Sequence, residues 1–96
     1  MWARIATGNL HPGKMDDFIK IFNEAQRPIF EQAQGFQSVR LLTSPSKAVA
    51  VSIWATESDA QASMAAGRAL EDLVKRFEGV MDGPPAFEHF EVSADY

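Results

Sequence analysis

The spacing of apolar residues alternates between strand-like and helix-like patterns along the chain, and this order limits the fold more than any single motif. Residues 2–7 carry strand-forming residues and stop at Gly8-Asn9, which predicts a strand followed by a turn. Over 14–33 the apolar residues recur at steps of three and four, which predicts a helix. Pro28 falls inside this pattern and removes a backbone donor, so we expect the helix to be kinked or divided there.

The second half of the chain repeats the pattern with a hairpin inserted. Residues 36–43 and 48–55 predict two strands joined by a short turn. An alanine-rich helix begins at the predicted N-cap Thr56 and runs through Ala66, and a second helical stripe follows it. Residues 86–93 predict the last strand.

The resulting order, β-α-β-β-α-β, predicts an α+β fold of the ferredoxin-like type. This fold is a four-stranded antiparallel sheet with helices on one face. The length of 96 residues suits a single domain, so we expect residues 1–96 to form one.

The predicted strand over 48–55 carries no charge on either face. Val49, Val51 and Ile53 share one face, and the other face is formed by Ala48, Ala50, Ser52 and Trp54. A sheet with one face in water normally alternates apolar and polar residues. The helices of one chain cover only one face, so we predict a homodimer that packs through the sheet face.

Charge and composition exclude several classes of function. The net charge of −4 disfavours a nucleic-acid surface, because phosphate binding needs an excess of Lys and Arg. The chain has no cysteine and only two histidines, so we predict neither a thiolate site nor a metal site. No apolar run approaches the roughly 20 residues of a membrane span. The first residues lack the apolar segment of a signal peptide, so we expect a cytoplasmic protein without a membrane partner.

Several short motifs occur in an order that is found in a known family. They are Pro12-Gly13-Lys14 before the long helix, the late Pro28, the Gln34-Gly35-Phe36 junction, and the run from Ser52 to Ser58 around Trp54. With these motifs the chain resembles the antibiotic biosynthesis monooxygenase (ABM) group of dimeric α/β-barrel proteins. The resemblance implies two sheets packed back to back as a dimeric α/β barrel, and a pocket between helices and sheet.

The resemblance implies a choice of activities, because the family is functionally mixed. Some members oxidise polycyclic aromatic phenols without metal or flavin, some cleave haem, and many have no established activity. The haem-cleaving relatives use a histidine on a helix in the second half of the chain. This sequence has no histidine between His11 and His89, so we predict no haem and no other cofactor.

Three residues are candidates for catalysis. Trp54 is either a pocket wall for an aromatic substrate or a core tryptophan. Asn9 follows the first strand, where the resemblance implies an amide in the site, but Gly8-Asn9 also suits a turn, and Thr7 is the alternative for the site position. His89 is either a general base or a histidine at the surface or the dimer interface.

Three further residues are candidates for substrate binding. Arg4, if it points inward, must pair or meet an anionic ligand such as a phenolate or carboxylate; the alternative is a cross-strand ion pair with Glu88 or Glu91. Phe22 and Met64 would line any space between helix and sheet, although such residues form the core by default.

Together these observations predict a cofactor-independent monooxygenase acting on a small aromatic or quinol-like substrate. The alternative is a non-catalytic dimer that binds a small apolar or aromatic molecule. A cavity beside Trp54 on which polar groups converge would favour the first interpretation.

Overall fold

Four strands form one antiparallel sheet in a computed structural model, which describes residues 1–65 and 67–96. The strands are β1 (Trp2–Asn9), β2 (Phe36–Thr43), β3 (Lys47–Trp54) and β4 (Ala86–Glu91). Their order across the sheet is β2-β3-β1-β4, and each neighbouring pair is antiparallel. This arrangement, with helices against one face, confirms the predicted α+β, ferredoxin-like fold.

The long helix predicted over 14–33 is divided into three segments. They are α1 (Met15–Ile21), a π-helical segment (Phe22–Gln26) and α2 (Arg27–Gln32). Pro28 lies in the first turn of α2 and supplies no backbone N–H. The predicted division of the helix is confirmed, because a wider π-helical segment separates α1 from α2 just before the proline.

The second helical region consists of α3 (Glu57–Ser63) and α4 (Arg68–Phe77). The backbone N–H of Asp59 donates to Oγ1 of Thr56 over 3.0 Å, which confirms Thr56 as the N-cap of α3. The helix ends at Ser63, earlier than predicted, and Met64 and Ala65 form a turn; the predicted end at Ala66 lies outside the described residues.

Two predicted strand ends are wrong by two residues. β1 continues through Gly8 and Asn9, because they pair with Ala48 and Lys47 of β3, so the predicted turn at this point is not formed. β4 ends at Glu91, earlier than the predicted end at residue 93. Local turn-forming residues at the first position were overridden by the partner strand, which supplies a complete ladder of hydrogen bonds.

The register of the sheet decides which residues face the helices. On β3 the helix-facing residues are almost fully buried, and the alternating residues of the outer face are half-buried. Directly opposite partners in an antiparallel pair share a face, so Arg4, paired with Ser52, also faces the helices. The buried core lies between this face and the helices; its apolar members are Leu10, Phe18, Ile21, Phe22, Phe30, Ala48, Ala50, Trp54, Ala60, Leu73, Phe77 and Val80.

Within the described ranges, no helix combines the length and the apolar composition that a membrane crossing requires.

Candidate functional site

A cavity of about 160 Å³ lies between the helices and the helix-facing surface of the sheet. Its lining is predominantly apolar and comes from β1, β3, the divided first helix, α4 and the start of β4. The helix-facing residues of β3 at its floor include Ala48 and Ala50, whose short side chains do not fill the space below the helices. Small residues on the sheet are therefore a direct cause of the cavity.

Aromatic rings form a continuous wall along this space. Phe18 stacks on Phe77 with ring centroids 5.0 Å apart, and Phe22 lies 6.1 Å from Phe30. Phe30 in turn lies 6.1 Å from Trp54. These separations are within the range of favourable aromatic pairs, so the wall is a packed cluster. An aromatic ligand in the cavity would meet ring faces and edges on this side.

Trp54 is held by a short chain of hydrogen bonds. Its indole Nε1 donates to Oγ of Ser52 over 2.9 Å, and this hydroxyl donates to the backbone oxygen of Arg4 over 3.4 Å. Trp54 is fully buried and also lines the cavity, so it is both a core residue and a pocket wall. The polar side chain of Ser52 on an otherwise apolar face is explained by the indole donor that it satisfies.

Arg4 is a buried cation beside the cavity, with only 8% of its surface exposed. Its Nη1 donates to the backbone oxygen of Ala60 over 2.9 Å and to Oγ of Ser63 over 2.6 Å. The guanidinium carbon lies 5.0 Å from the ring centroid of Trp54 and 5.9 Å from that of Phe30, within reach of cation–π attraction. Burial lowers the pKa of Arg4 from its ordinary value, because desolvation disfavours the charged form.

The alternative prediction for Arg4, a cross-strand ion pair with Glu88 or Glu91, is not observed among the described residues. Glu88 and Glu91 are exposed on β4, and the ion pairs of the described chain join other residues. Arg4 therefore follows the first of the two predicted alternatives and points inward, toward the cavity.

Four of the six predicted site residues line the same cavity. Arg4 and Trp54 lie at its buried end, Phe22 lies in the π-helical segment, and Met64 directly follows α3. Met64 is 38% exposed and so lies toward solvent. Val74 and Phe87 also line the cavity and are exposed, so the cavity opens between α4 and the start of β4.

The other two predicted site residues do not line the cavity. His89 lies directly opposite Arg4 in the β1–β4 pairing, so the two share a face of the sheet. Its Nε2 atom is buried without a hydrogen-bond partner among the described residues. Asn9 is exposed at the end of β1, whereas the alternative site residue Thr7 lines the cavity.

Two cavity-lining residues were not predicted from the sequence. Ser63 lines the cavity, accepts from Arg4 and donates to the oxygen of Ala60 over 2.7 Å. It is one hydroxyl in an alanine-rich helix, and nothing near it in the sequence indicates that Arg4 is its partner. Gln26 lines the cavity from the end of the π-helical segment, and a π turn has no reliable sequence signal.

Comparisons with known proteins agree with this geometry. The model of the family described as antibiotic biosynthesis monooxygenase matches residues 1–71. No curated protein matches the sequence. Among solved structures, NE2512, a protein of unknown function from Nitrosomonas europaea, is 21% identical with a TM-score of 0.82, and the match covers 99% of this chain and 91% of that one.

Two solved structures of oxygenases are also similar. The monooxygenase from ActVA-Orf6 of Streptomyces coelicolor, in complex with nanaomycin D, is 14% identical with a TM-score of 0.82, covering 99% of this chain and 89% of that one. SnoaB, a cofactor-independent oxygenase from Streptomyces nogalater, is 12% identical with a TM-score of 0.81, covering 98% of this chain and 94% of that one. At these identities the structures establish a shared fold.

Proposed function

The chain belongs to the antibiotic biosynthesis monooxygenase (ABM) family, and from this premise we propose that it is a cofactor-independent monooxygenase acting on a small aromatic or quinol-like substrate. The substrate would occupy the cavity between the helices and the sheet. The observation that carries the proposal is an aromatic-lined cavity that has a buried cation, Arg4, in its wall. The structurally similar oxygenases SnoaB and ActVA-Orf6 support the reaction type.

The size of the cavity supports a substrate with a single ring. A dry cavity of about 150 Å³ in another protein accommodates benzene. The cavity beside Trp54 is of the same size, about 160 Å³, and drug-sized ligands occupy larger pockets of roughly 300–1,000 Å³. A single-ring phenol or quinol therefore fits this space better than the polycyclic phenols on which some family members act.

In the proposed mechanism a base removes a proton from the substrate, and the resulting anion reacts with dioxygen. His89 is the proposed base, because it is the cross-strand neighbour of Arg4 and its Nε2 has no described partner. A water molecule held by Asn9 is the alternative source of the base. Trp54 would pack against the ring, and Arg4 or Asn9 would stabilise the anion.

The oxygen chemistry balances without an added reductant. The substrate anion passes one electron to dioxygen, and the radical pair combines to form a carbon–oxygen bond. Loss of water then leaves one oxygen atom in the product as a carbonyl and places the other in water.

Oxygen consumption tests the proposal. With single-ring hydroquinones as substrates, and three-ring anthrones for comparison, an oxygen electrode should record steady uptake by the wild-type protein, faster with the single-ring compounds. We expect His89→Ala to lose the uptake and the exposed, matched His11→Ala to retain it. Asn9→Ala decides between the two sources of the base. No uptake with any of these compounds, or unchanged uptake in both His89→Ala and Asn9→Ala, would contradict the proposed mechanism.

A second candidate function is a non-catalytic dimer that binds a small ligand. The strongly apolar lining favours it, because few polar side chains of the described residues reach the cavity to perform chemistry. Native mass spectrometry of the purified protein separates the two functions. A ligand that is retained and not consumed under air would support binding alone.

We also propose that the protein is a homodimer packed through the outer face of the sheet. Members of this family are commonly dimeric. Leu42 and Phe90 on this face are 53% and 51% exposed, and the intervening β3 residues Val49, Val51 and Ile53 are only half-buried. Apolar residues this close together on one face favour a protein partner. We further propose that this dimer is located in the cytoplasm, as the sequence predicts.

A further inference from the structure

The charge of Arg4 has no counter-charge in the described structure. Arg4 is more than nine-tenths buried, it lines an apolar cavity, and no carboxylate of the described residues forms an ion pair with it. An isolated buried charge costs stability unless an opposite charge compensates it. A negatively charged ligand in the cavity would supply that compensation.

The hydrogen bonds of Arg4 leave one particular edge of the guanidinium free. An arginine has five N–H donors, and both donors of Nη1 are used by Ala60 and Ser63. No described residue accepts a hydrogen bond from Nε or Nη2. These two nitrogens form the edge that binds both oxygens of a carboxylate at once.

A structural role explains only part of this arrangement. The oxygen of Ala60 belongs to the last turn of α3, where carbonyl groups lack helical partners, and a cation at this end is favourable. The Nη1 atom alone performs this capping. A lysine or a glutamine at position 4 also has a donor for such a bond, so capping does not account for the free Nε–Nη2 edge.

We propose that the cavity binds a single-ring aromatic carboxylate. The two carboxylate oxygens accept hydrogen bonds from Nε and Nη2 of Arg4, and the ring packs against Trp54 and Phe30, which already flank the guanidinium. This inference rests on the proposed function in one respect, that the cavity is the substrate site. It names the chemical class of that substrate and does not require oxygenation.

The test compares benzoate with benzamide, which has the same size and shape but no charge. By isothermal titration calorimetry, we expect the wild-type protein to bind benzoate about tenfold or more tightly than benzamide, since a hydrogen bond to a charged group is stronger than a neutral one. Equal affinities, or binding of neither compound, would overturn the proposal.

Two variants test whether Arg4 causes the preference for benzoate over benzamide. Arg4→Gln keeps an amide donor for the oxygen of Ala60 and should bind both compounds equally weakly. Arg68→Gln removes the same charge from an exposed position at the start of α4, away from the cavity lining and from the outer face of the sheet, and should keep the full preference. If Arg4→Gln does not fold, Arg4→Lys retains the charge without the paired donors, and its preference should fall severalfold. A full preference for benzoate in either variant of Arg4 contradicts the inference.

A comparison of benzoate with a phenolate tests whether the ligand group is a carboxylate. Pentafluorophenolate, which is ionised at neutral pH, presents one charged oxygen to Arg4, and we expect it to bind more weakly than benzoate. Tighter binding of the phenolate would overturn the assignment of a carboxylate. The inference fails separately from the proposed function: oxygen uptake without a preference for benzoate contradicts only the inference, and a preference for benzoate without oxygen uptake contradicts only the oxygenase.

Discussion

The two faces of the sheet differ in the size and the burial of their side chains. Toward the helices, β3 presents Ala48, Ala50 and Ser52, which are at most 9% exposed. On the outer face the same strand presents Val49, Val51 and Ile53, which are larger but only half-buried. Apart from Trp54 at its end, the face with the smaller side chains is thus the buried one.

The difference shows that burial and packing are separate properties here. Small helix-facing residues leave an unfilled space, and that space contains the buried cation Arg4. The large residues of the outer face lack a covering layer in one protomer, as expected of a surface between two copies. One face is therefore suited to a small ligand and the other to a protein.

The largest expected effect is on the helix-facing side, at Trp54. Trp54→Ala removes a fully buried ring and its hydrogen bond to Ser52, so we expect the free energy of unfolding to fall by about 3–5 kcal/mol. Urea denaturation measures the change. Trp2→Ala, at the half-buried start of β1, is the matched control and should cost less. A loss below about 1 kcal/mol for Trp54→Ala would contradict the tight packing of the helix-facing side around this ring.

The next effect is on the outer face. Val51→Asp places a charge in the proposed dimer interface, and we expect dimerisation to weaken by about a hundredfold or more. Light scattering after size-exclusion chromatography measures the mass. Val74→Asp, at an exposed apolar position of α4, should leave the mass unchanged. A wild-type monomer at micromolar concentration would contradict the dimer.

A smaller effect is expected where a side chain grows into the cavity. Ala50→Leu should cost less than about 1 kcal/mol and weaken benzoate binding about tenfold, because Ala50 borders open space. Ala60→Leu is the matched control: Ala60 is fully buried outside the cavity lining, and overpacking it should cost about 1–3 kcal/mol. Equal costs at the two alanines in thermal unfolding would mean that the cavity is not open space.

The smallest effect is expected from removing the buried charge. Arg4→Met loses the bond to the oxygen of Ala60 but also removes an uncompensated cation, so the two contributions to the stability of the free protein nearly cancel, within about 1 kcal/mol. Arg68→Met at the exposed start of α4 gives the baseline for losing a surface charge. A loss above about 2 kcal/mol for Arg4→Met, by thermal unfolding, would make Arg4 chiefly a structural residue.

Local sequence signals predicted most of the fold. Apolar spacing predicted the strands and helices, Pro28 predicted the divided helix, and Thr56 predicted the start of α3. The exceptions were the ends of elements: β4 stops at Glu91, and at Gly8-Asn9 a local turn preference was overridden by pairing with β3. Signals that depend on a few neighbouring residues thus predicted the elements better than their ends.

The candidate site was less predictable from the sequence. Alternation placed Arg4 on one of two faces but left open whether it would pair with a glutamate or point inward. Its partners, Ala60 and Ser63, are 56 and 59 positions away, on a helix that no local pattern links to β1. His89 was chosen by residue type and Asn9 by the family resemblance, and neither lines the cavity.

The sequence alone determined which residues lie together on a face, because side chains alternate along any strand with a period of two. It also determined that β3 has no charged residue between its ends on either face. Only the tertiary structure decided which face the helices cover and where the cavity forms. A cavity is the volume left between side chains of segments far apart in the chain, so it follows from their packing and from no local pattern.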